Sequence, residues 1–227
     1  MRKLWIITAI FGALTAALAA IIFPQFPTDG YAISDGYGGA VYAFEMARTP
    51  ADLIAVFGPE GDPARPARIA AMDKGNIWDY GFMPAYAGFM ALFLWAAFKT
   101  TGRKIWVIFA ALGLLSAVAD GIENAVLLGI TSDMANAPFL SVLAVPVWIK
   151  FFSIALAVAA AGLYIARHGA VWKVVGWLCA LSMMGVLLAF YDASRFGALS
   201  GTMIGFGWIV MLGFALRQSL ARDRAAA

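Results

Sequence analysis

Six long apolar stretches, separated mostly by short polar connections, set out the plan of the chain. They run near Leu4–Phe23, Ile77–Phe98, Ile105–Ile130, Phe139–Ala166, Val171–Tyr191 and Phe196–Leu216. A helix needs about 20 residues to cross a bilayer, so each stretch predicts one transmembrane helix. The third and fourth are longer and predict tilt, or extension past the hydrocarbon.

The one long polar stretch is Pro24–Asn76, between the first two spans. It opens with turn chemistry that runs through Asp35-Gly36-Tyr37-Gly38-Gly39. Two short amphipathic helices are predicted after it. Val41–Ala47 is the first. The second has Thr49 as N-cap, Pro50 at the first helical position and Asp52 in the first turn, and it stops before Gly58-Pro59. Its Leu53, Ile54, Val56 and Phe57 suit a helix that lies on the membrane surface or caps the bundle. The expected fold is therefore all-α: one transmembrane domain over residues 1–227, with 24–76 as an extracytoplasmic, lid-like segment. No internal repeat is visible, and the only biased stretch is the short tail Ala225–Ala227.

Composition decides between membrane and water. Of the 227 residues 63% are hydrophobic and only 13% charged, about half the charged share of a soluble domain. In lipid every backbone polar group must be bonded internally, which leaves helices or a closed barrel. A barrel would alternate over segments of about ten residues, and these runs are unbroken instead.

Charge sets the expected orientation. Arg2 and Lys3, then Lys99, Arg103 and Lys104, then Arg167 and Lys173, and finally Arg217, Arg222 and Arg224 fall on one side of a six-span topology. They are ten of the 16 basic residues, and the opposite short connections carry only Arg195. The basic side is expected to be cytoplasmic, with both termini there, in a bacterial cytoplasmic (inner) membrane. The 24–76 segment has seven acids (Asp29, Asp35, Glu45, Asp52, Glu60, Asp62, Asp73) against Arg48, Arg65, Arg68 and Lys74, which suits an external loop. Arg2-Lys3, the apolar core and Ala17-Leu18-Ala19 resemble a signal peptide, but the stretch is read as a retained helix. The net charge of +3 is spread over short loops, so no nucleic-acid surface is expected.

Ionisable residues within spans usually face the bundle interior. Asp79, Asp120, Glu123 and Lys150 are the ones that stand out, with Asn124 and Tyr86 as polar companions. Asp120, Glu123 and Asn124 fall at i, i+3 and i+4 on one helix face, in line with the small residues Gly113, Ser116 and Ala117. Asp79 and Tyr86 share a stripe on the second span. Pro84 lies between them and deprives the Tyr80 carbonyl of its helical donor. Pro146 is expected to do the same for Val142, one turn before Lys150, with Ser153 on nearly the same face. From the outer ends of their spans Tyr86 should lie ~14 Å deep, Asp120 ~15 Å, Lys150 ~17 Å, Glu123 ~10 Å and Asp79 ~3 Å, at 1.5 Å per residue.

These depths suggest a polar pocket in the outer half of the bundle. Asp192 and Arg195, with Asp79, are placed at its mouth. Lys150 would neutralise Asp120 or Glu123, leaving another carboxyl as a proton carrier or general acid. A static ion-pair network that fixes helix register is the other use of the same residues.

Gly197, Gly201 and Gly205 form a small-residue face on the last span, for packing within the bundle or between copies. Trp5, Trp78, Trp106, Trp172 and Tyr191 sit near span ends, where interfacial anchoring accounts for them. The lone Cys179 and the lone His168, read as a solvated loop residue, offer no disulfide, haem or zinc site, so no cofactor and no metal are expected.

The blocks Asp79-Tyr80-Gly81-Phe82-Met83-Pro84-Ala85-Tyr86 and Asp120-Gly121-Ile122-Glu123-Asn124-Ala125, with Lys150-Phe151-Phe152, resemble an uncharacterised family of bacterial multi-pass membrane proteins. The likeness covers roughly residues 40–165. It implies that Asp79, Tyr86, Asp120, Glu123, Asn124 and Lys150 act as one constellation, and it transfers no activity. There is no lysine in the last span for a retinal, no phosphate-binding glycine loop and no nucleophile–base motif.

Three functions stay open. One is a carrier or binding protein for a small molecule, ion or lipid-like ligand. Another is an intramembrane enzyme that uses carboxylate acid/base chemistry on an apolar substrate. The third is an accessory subunit of a homo-oligomer or larger membrane complex. In each the lipid bilayer is a partner.

Overall fold

The computed structural model describes residues 1–221, so Arg222, Arg224 and the Ala225–Ala227 tail lie outside the described residues. Helices make up the architecture, and no strand occurs among the described residues. They are α1 (Arg2–Ile22), α2 (Ala40–Glu45), α3 (Pro50–Phe57), α4 (Arg65–Thr101), α5 (Ile105–Ser132), α6 (Ala144–Ile165), α7 (Ala170–Ala180), α8 (Ser182–Tyr191) and α9 (Ala193–Leu220). Six units are long and apolar enough to span a membrane: α1, α4, α5, α6, the α7–α8 pair and α9. The protein is a multi-pass helical bundle whose environment is the bilayer.

The spans form a closed ring, in which α1 packs on α4, α4 on α5, α5 on α6, α6 on α7, α8 on α9 and α9 back on α1. The inner members are α4 and α6, whose most apolar windows are 61% and 56% buried against 28–39% for the rest. Arg2 Nε donates to the Ser219 carbonyl at 3.0 Å, so the first and last spans meet at the same end of the bundle.

Hydropathy places the spans correctly but misses several helix ends. α4 starts 12 residues before the predicted Ile77. Its 37 residues amount to about 55 Å of helix, far more than a ~30 Å hydrocarbon core, so the charged stretch Arg65–Asn76 projects beyond the lipid. Asp62 stabilises that start: Oδ1 accepts the Ala64 N–H (2.9 Å) and Oδ2 pairs with Arg68 (2.7 Å). These contacts hold the Asp62 carboxyl below the ordinary aspartate range, the Ala64 N–H being the larger cause. At the other end Gly102 takes φ +69° and donates to Phe98 (2.7 Å), which stops the helix.

The fourth span differs more. Ala137 and Phe139 have positive φ, and a 3-10 turn at Leu140–Val142 intervenes, so α6 begins only at Ala144. Pro146 is then the third helical residue. The N–H it lacks is one that a helix start leaves unbonded anyway, so Pro146 breaks nothing. α4 likewise continues through Pro84. The fifth span is interrupted, changing from α7 to α8 at Leu181. There the Ser182 hydroxyl donates to the Ala155 carbonyl of α6 at 3.2 Å.

The two short helices of the cap form where the sequence places them. Thr49 and Asp52 make a capping box at the start of α3: Thr49 Oγ1 accepts the Asp52 N–H, and Asp52 Oδ2 accepts the Thr49 N–H at 2.8 Å. Of its four large apolar residues Leu53, Val56 and Phe57 are buried and Ile54 is exposed, so α3 caps the bundle.

Two of the three glycines on the small-residue face of α9 pack within the molecule, against the cap. Gly197 lies against the Tyr37 backbone, Gly201 against the Tyr42 ring, and Gly205 against open space. The face receives residues 36–42 of the cap. Close backbone approach between spans occurs at Gly162 of α6 and Gly176 of α7, where a methyl on either would strike the other's carbonyl.

Trp5 and Trp106 are also corrected from anchors to core residues. They are buried in an aromatic cluster with Phe93, Tyr164 and Phe214. Trp78 and Tyr191 are exposed, as anchors should be. His168 packs on Tyr164 and Phe214 rings, both at 4.9 Å, so it is not a free loop residue.

Candidate functional site

Four helices bring their polar residues to one point. Lys150 leaves α6 in its second turn, and its ammonium has three protons to give. Glu123 Oε1 accepts at 2.7 Å and Glu45 Oε1 at 2.9 Å, while Asp120 Oδ1 lies at 3.3 Å. The Phe151 ring lies 4.8 Å from the same nitrogen. Tyr86 of α4 donates to the other Asp120 oxygen at 2.7 Å. One turn along α5, Asn124 Nδ2 donates to Asp79 Oδ2 (2.9 Å) and to the Asn76 carbonyl (3.1 Å). Asp120, Glu123, Asn124, Tyr86 and Lys150 are buried, and Asp79 is half-buried.

The i, i+3, i+4 spacing on α5 thus does what helix geometry requires, sending three polar side chains toward α4 and α6. The depths need revision. Lys150 is only six residues, ~9 Å, from the start of α6, while Asp120 is twelve residues, ~18 Å, from the end of α5. They still meet because α5 extends past the level at which α6 begins.

Glu45, which the chain alone places only among the acids of the 24–76 segment, also joins the cluster. It is buried and bonded to Lys150 across 105 positions of chain. A signal was present: Glu45 is the single charge in Gly39–Ala47, on a helix otherwise apolar. Beside it, burial and then the Glu45 charge push the Tyr42 phenol well above its ordinary range. Asp192 and Arg195 do not belong to the site. They pair with each other at 3.5 Å in the α8–α9 turn, away from the cavity wall, and neighbouring Ser194 accepts the Ser34 hydroxyl at 2.7 Å to hold the cap loop.

A cavity of about 620 Å³ adjoins the cluster, within the range of about 300–1,000 Å³ usual for ligand sites. Its walls come from α1, α2, α4, α5, α6, α9 and the loops at Phe23–Thr28 and Gly38–Gly39. Glu45, Asp79, Asp120 and Lys150 form its charged end, and Tyr86, stacked on Trp208 with ring centroids 5.4 Å apart, forms part of its side. Asn76 Nδ2 and Trp208 Nε1, in the same wall, have no hydrogen-bond partner. A larger hollow of about 850 Å³ lies between α4 and α5, against Pro84, Gly88 and Val118, but no charged residue lines it. The smaller cavity is the one with chemistry. Among the described residues no three His, Cys, Asp or Glu side chains are arranged to hold a metal ion.

Comparison with protein-family models, with curated proteins and with solved structures found no match.

Proposed function

We propose that this is a ligand-binding membrane protein of the carrier type, which holds a small cationic organic molecule in the cavity against the acid–lysine cluster. One observation carries the reading: three carboxyls, from Glu45, Asp120 and Glu123, surround a single ammonium at the wall of a ligand-sized cavity, and a fourth, Asp79, held by Asn124, lines the same cavity. A register pin needs a balanced pair, and uncompensated negative charge inside a bundle is unfavourable. A cationic ligand or protons would offset the excess. Because both would occupy the same carboxyls, binding one disfavours the other, which is the coupling an exchanger uses.

The distribution of Lys and Arg supports a bacterial cytoplasmic membrane with cytoplasmic termini. The cavity would then open in the outer half of the bilayer, beneath the cap. The Asp-x-x-Phe-x-x-x-Tyr and Asp-x-x-Glu-Asn-Ala blocks support treating the cluster as one unit of a bacterial family.

The test is a thermal-shift panel of organic cations (ethanolamine, choline, spermidine, octylamine) on protein in nanodiscs at several pH values. At least one should raise the midpoint saturably, less so as pH falls, and Asp120→Asn should abolish the effect. A flat response to every cation would overturn the proposal.

A further inference from the structure

The cavity wall has a gap on the lipid side. α1 and α9 are closed on each other near Arg2 and Ser219, where the Trp5 and Phe214 rings meet at 5.7 Å. The contact lasts as far as Gly12, which lies against Leu212 and Phe89. Beyond that point the facing residues are Thr15, Ala16 and Ala19 on α1 and Gly201, Gly205 and Ile209 on α9, and all of them line the cavity. Ala16 and Ile209 also belong to the outer surface, Ile209 being 72% exposed, and a Cβ on Gly205 would meet nothing within 4 Å.

This stretch lies at the depth of the hydrocarbon. Ala16 is ~21 Å along α1 and Gly205 ~18 Å along α9. Toward the cap the route is covered. Gly38 packs on Ala198, the Tyr42 ring on Gly201 and Phe26 on Gly75, and the Phe23 ring meets Phe82 at 5.6 Å. The window therefore faces acyl chains, and the acidic end of the cavity lies behind it.

A ligand that fits both ends has a hydrocarbon chain and a positive head. On the reading of the cavity as a ligand site, we infer that the ligand is a membrane-borne amine amphiphile that enters sideways between α1 and α9. Its protonated amine faces Asp79, Asp120 and Glu45. The chain lies in the apolar gap between Thr15–Ala19 and Gly205–Leu212.

Octadecylamine carrying a mid-chain nitroxide, titrated into nanodiscs, tests this through Trp208. The signal is the fluorescence quenching of the wild type minus that of Trp208→Phe. Quenching should saturate, and it should be about tenfold or more weaker with the matching nitroxide octadecanoic acid, whose head repels the carboxylates. Gly205→Phe fills the window from α9 and should abolish saturable quenching. Ala16→Phe narrows it from α1 and serves if the first variant does not accumulate. Quenching that rises linearly with label and ignores both variants would mean annular lipid contact and would overturn the inference. If ethanolamine stabilises the protein while the labelled amine gives no saturable quenching, the ligand site stands and lateral entry falls. If neither acts, both readings fall.

Discussion

Removing the ammonium of Lys150 is the sharpest test of how the bundle core is held. Lys150→Met keeps the length and the apolar stem but deletes the charge. Glu45, Glu123 and Asp120 lie within 2.9, 2.7 and 3.3 Å of that nitrogen and would then face one another. Glu123 is fully buried, so water cannot take over as its donor. Deleting one partner of a buried ion pair costs about 3–5 kcal/mol, because the remaining charge has no compensation. For a chain of this size each kcal/mol moves the thermal midpoint by about 2–4 °C, so the midpoint should fall by about 6–20 °C. Thermal unfolding in nanodiscs, read by tryptophan fluorescence, measures this. Adding Glu123→Gln to Lys150→Met should recover part of the loss, since residues in one network couple by about 0.5–3 kcal/mol. A single variant within about 1 kcal/mol of the wild type, or strictly additive variants, would show that Lys150 is not the counter-charge of the cluster.

Three further outcomes follow from other contacts. Glu45→Gln should loosen the cap from α6: hydrogen exchange should speed up over residues 40–57 and stay unchanged in α4 and α5, and unaltered exchange over 40–57 would show that Glu45 does not tie down the cap. Gly162→Ala should destabilise by about 1–3 kcal/mol in the same thermal assay because its methyl meets the Gly176 carbonyl, whereas Gly205→Ala, with open space around it, should not. Asp62, held low by the Ala64 N–H and by Arg68, contributes stability that is present above its unfolded pKa of about 3.9 and is lost as pH falls through its lower folded value. Asp62→Asn should therefore flatten the acid side of the stability profile and leave the neutral side parallel, and an unchanged acid limb would argue against this role.

The six spans and the cap are legible in the chain alone, because hydrocarbon selects unbroken apolar runs and short-range capping chemistry selects helix starts such as Thr49-Pro50. One face of the candidate site is legible there too. Helical periodicity alone puts Asp120, Glu123 and Asn124 together, and the high cost of charge in lipid singles out Lys150 as their partner. Helix ends were less legible. Hydropathy records where lipid ends, and α4 keeps its helix for three turns beyond that limit. Phe139 has the composition of a span but sits in a turn with positive φ, so only the folded chain shows that α6 starts at Ala144.

Tertiary structure alone decided the rest. Nothing local sends Glu45 to Lys150. The segment that carries it lies folded back against α9, where Gly197 and Gly201 leave room for Tyr37 and Tyr42. The same docking decided against Asp192 and Arg195, whose short link in the α8–α9 turn keeps them with each other. The cavity wall formed by α1 and α9 has no signature at either position, because it depends on how two helices that touch at Gly12 and Leu212 pack as a pair. Local periodicity specifies which side of a helix is polar, while the neighbour that side meets, and the space left between them, depend on packing of the whole bundle.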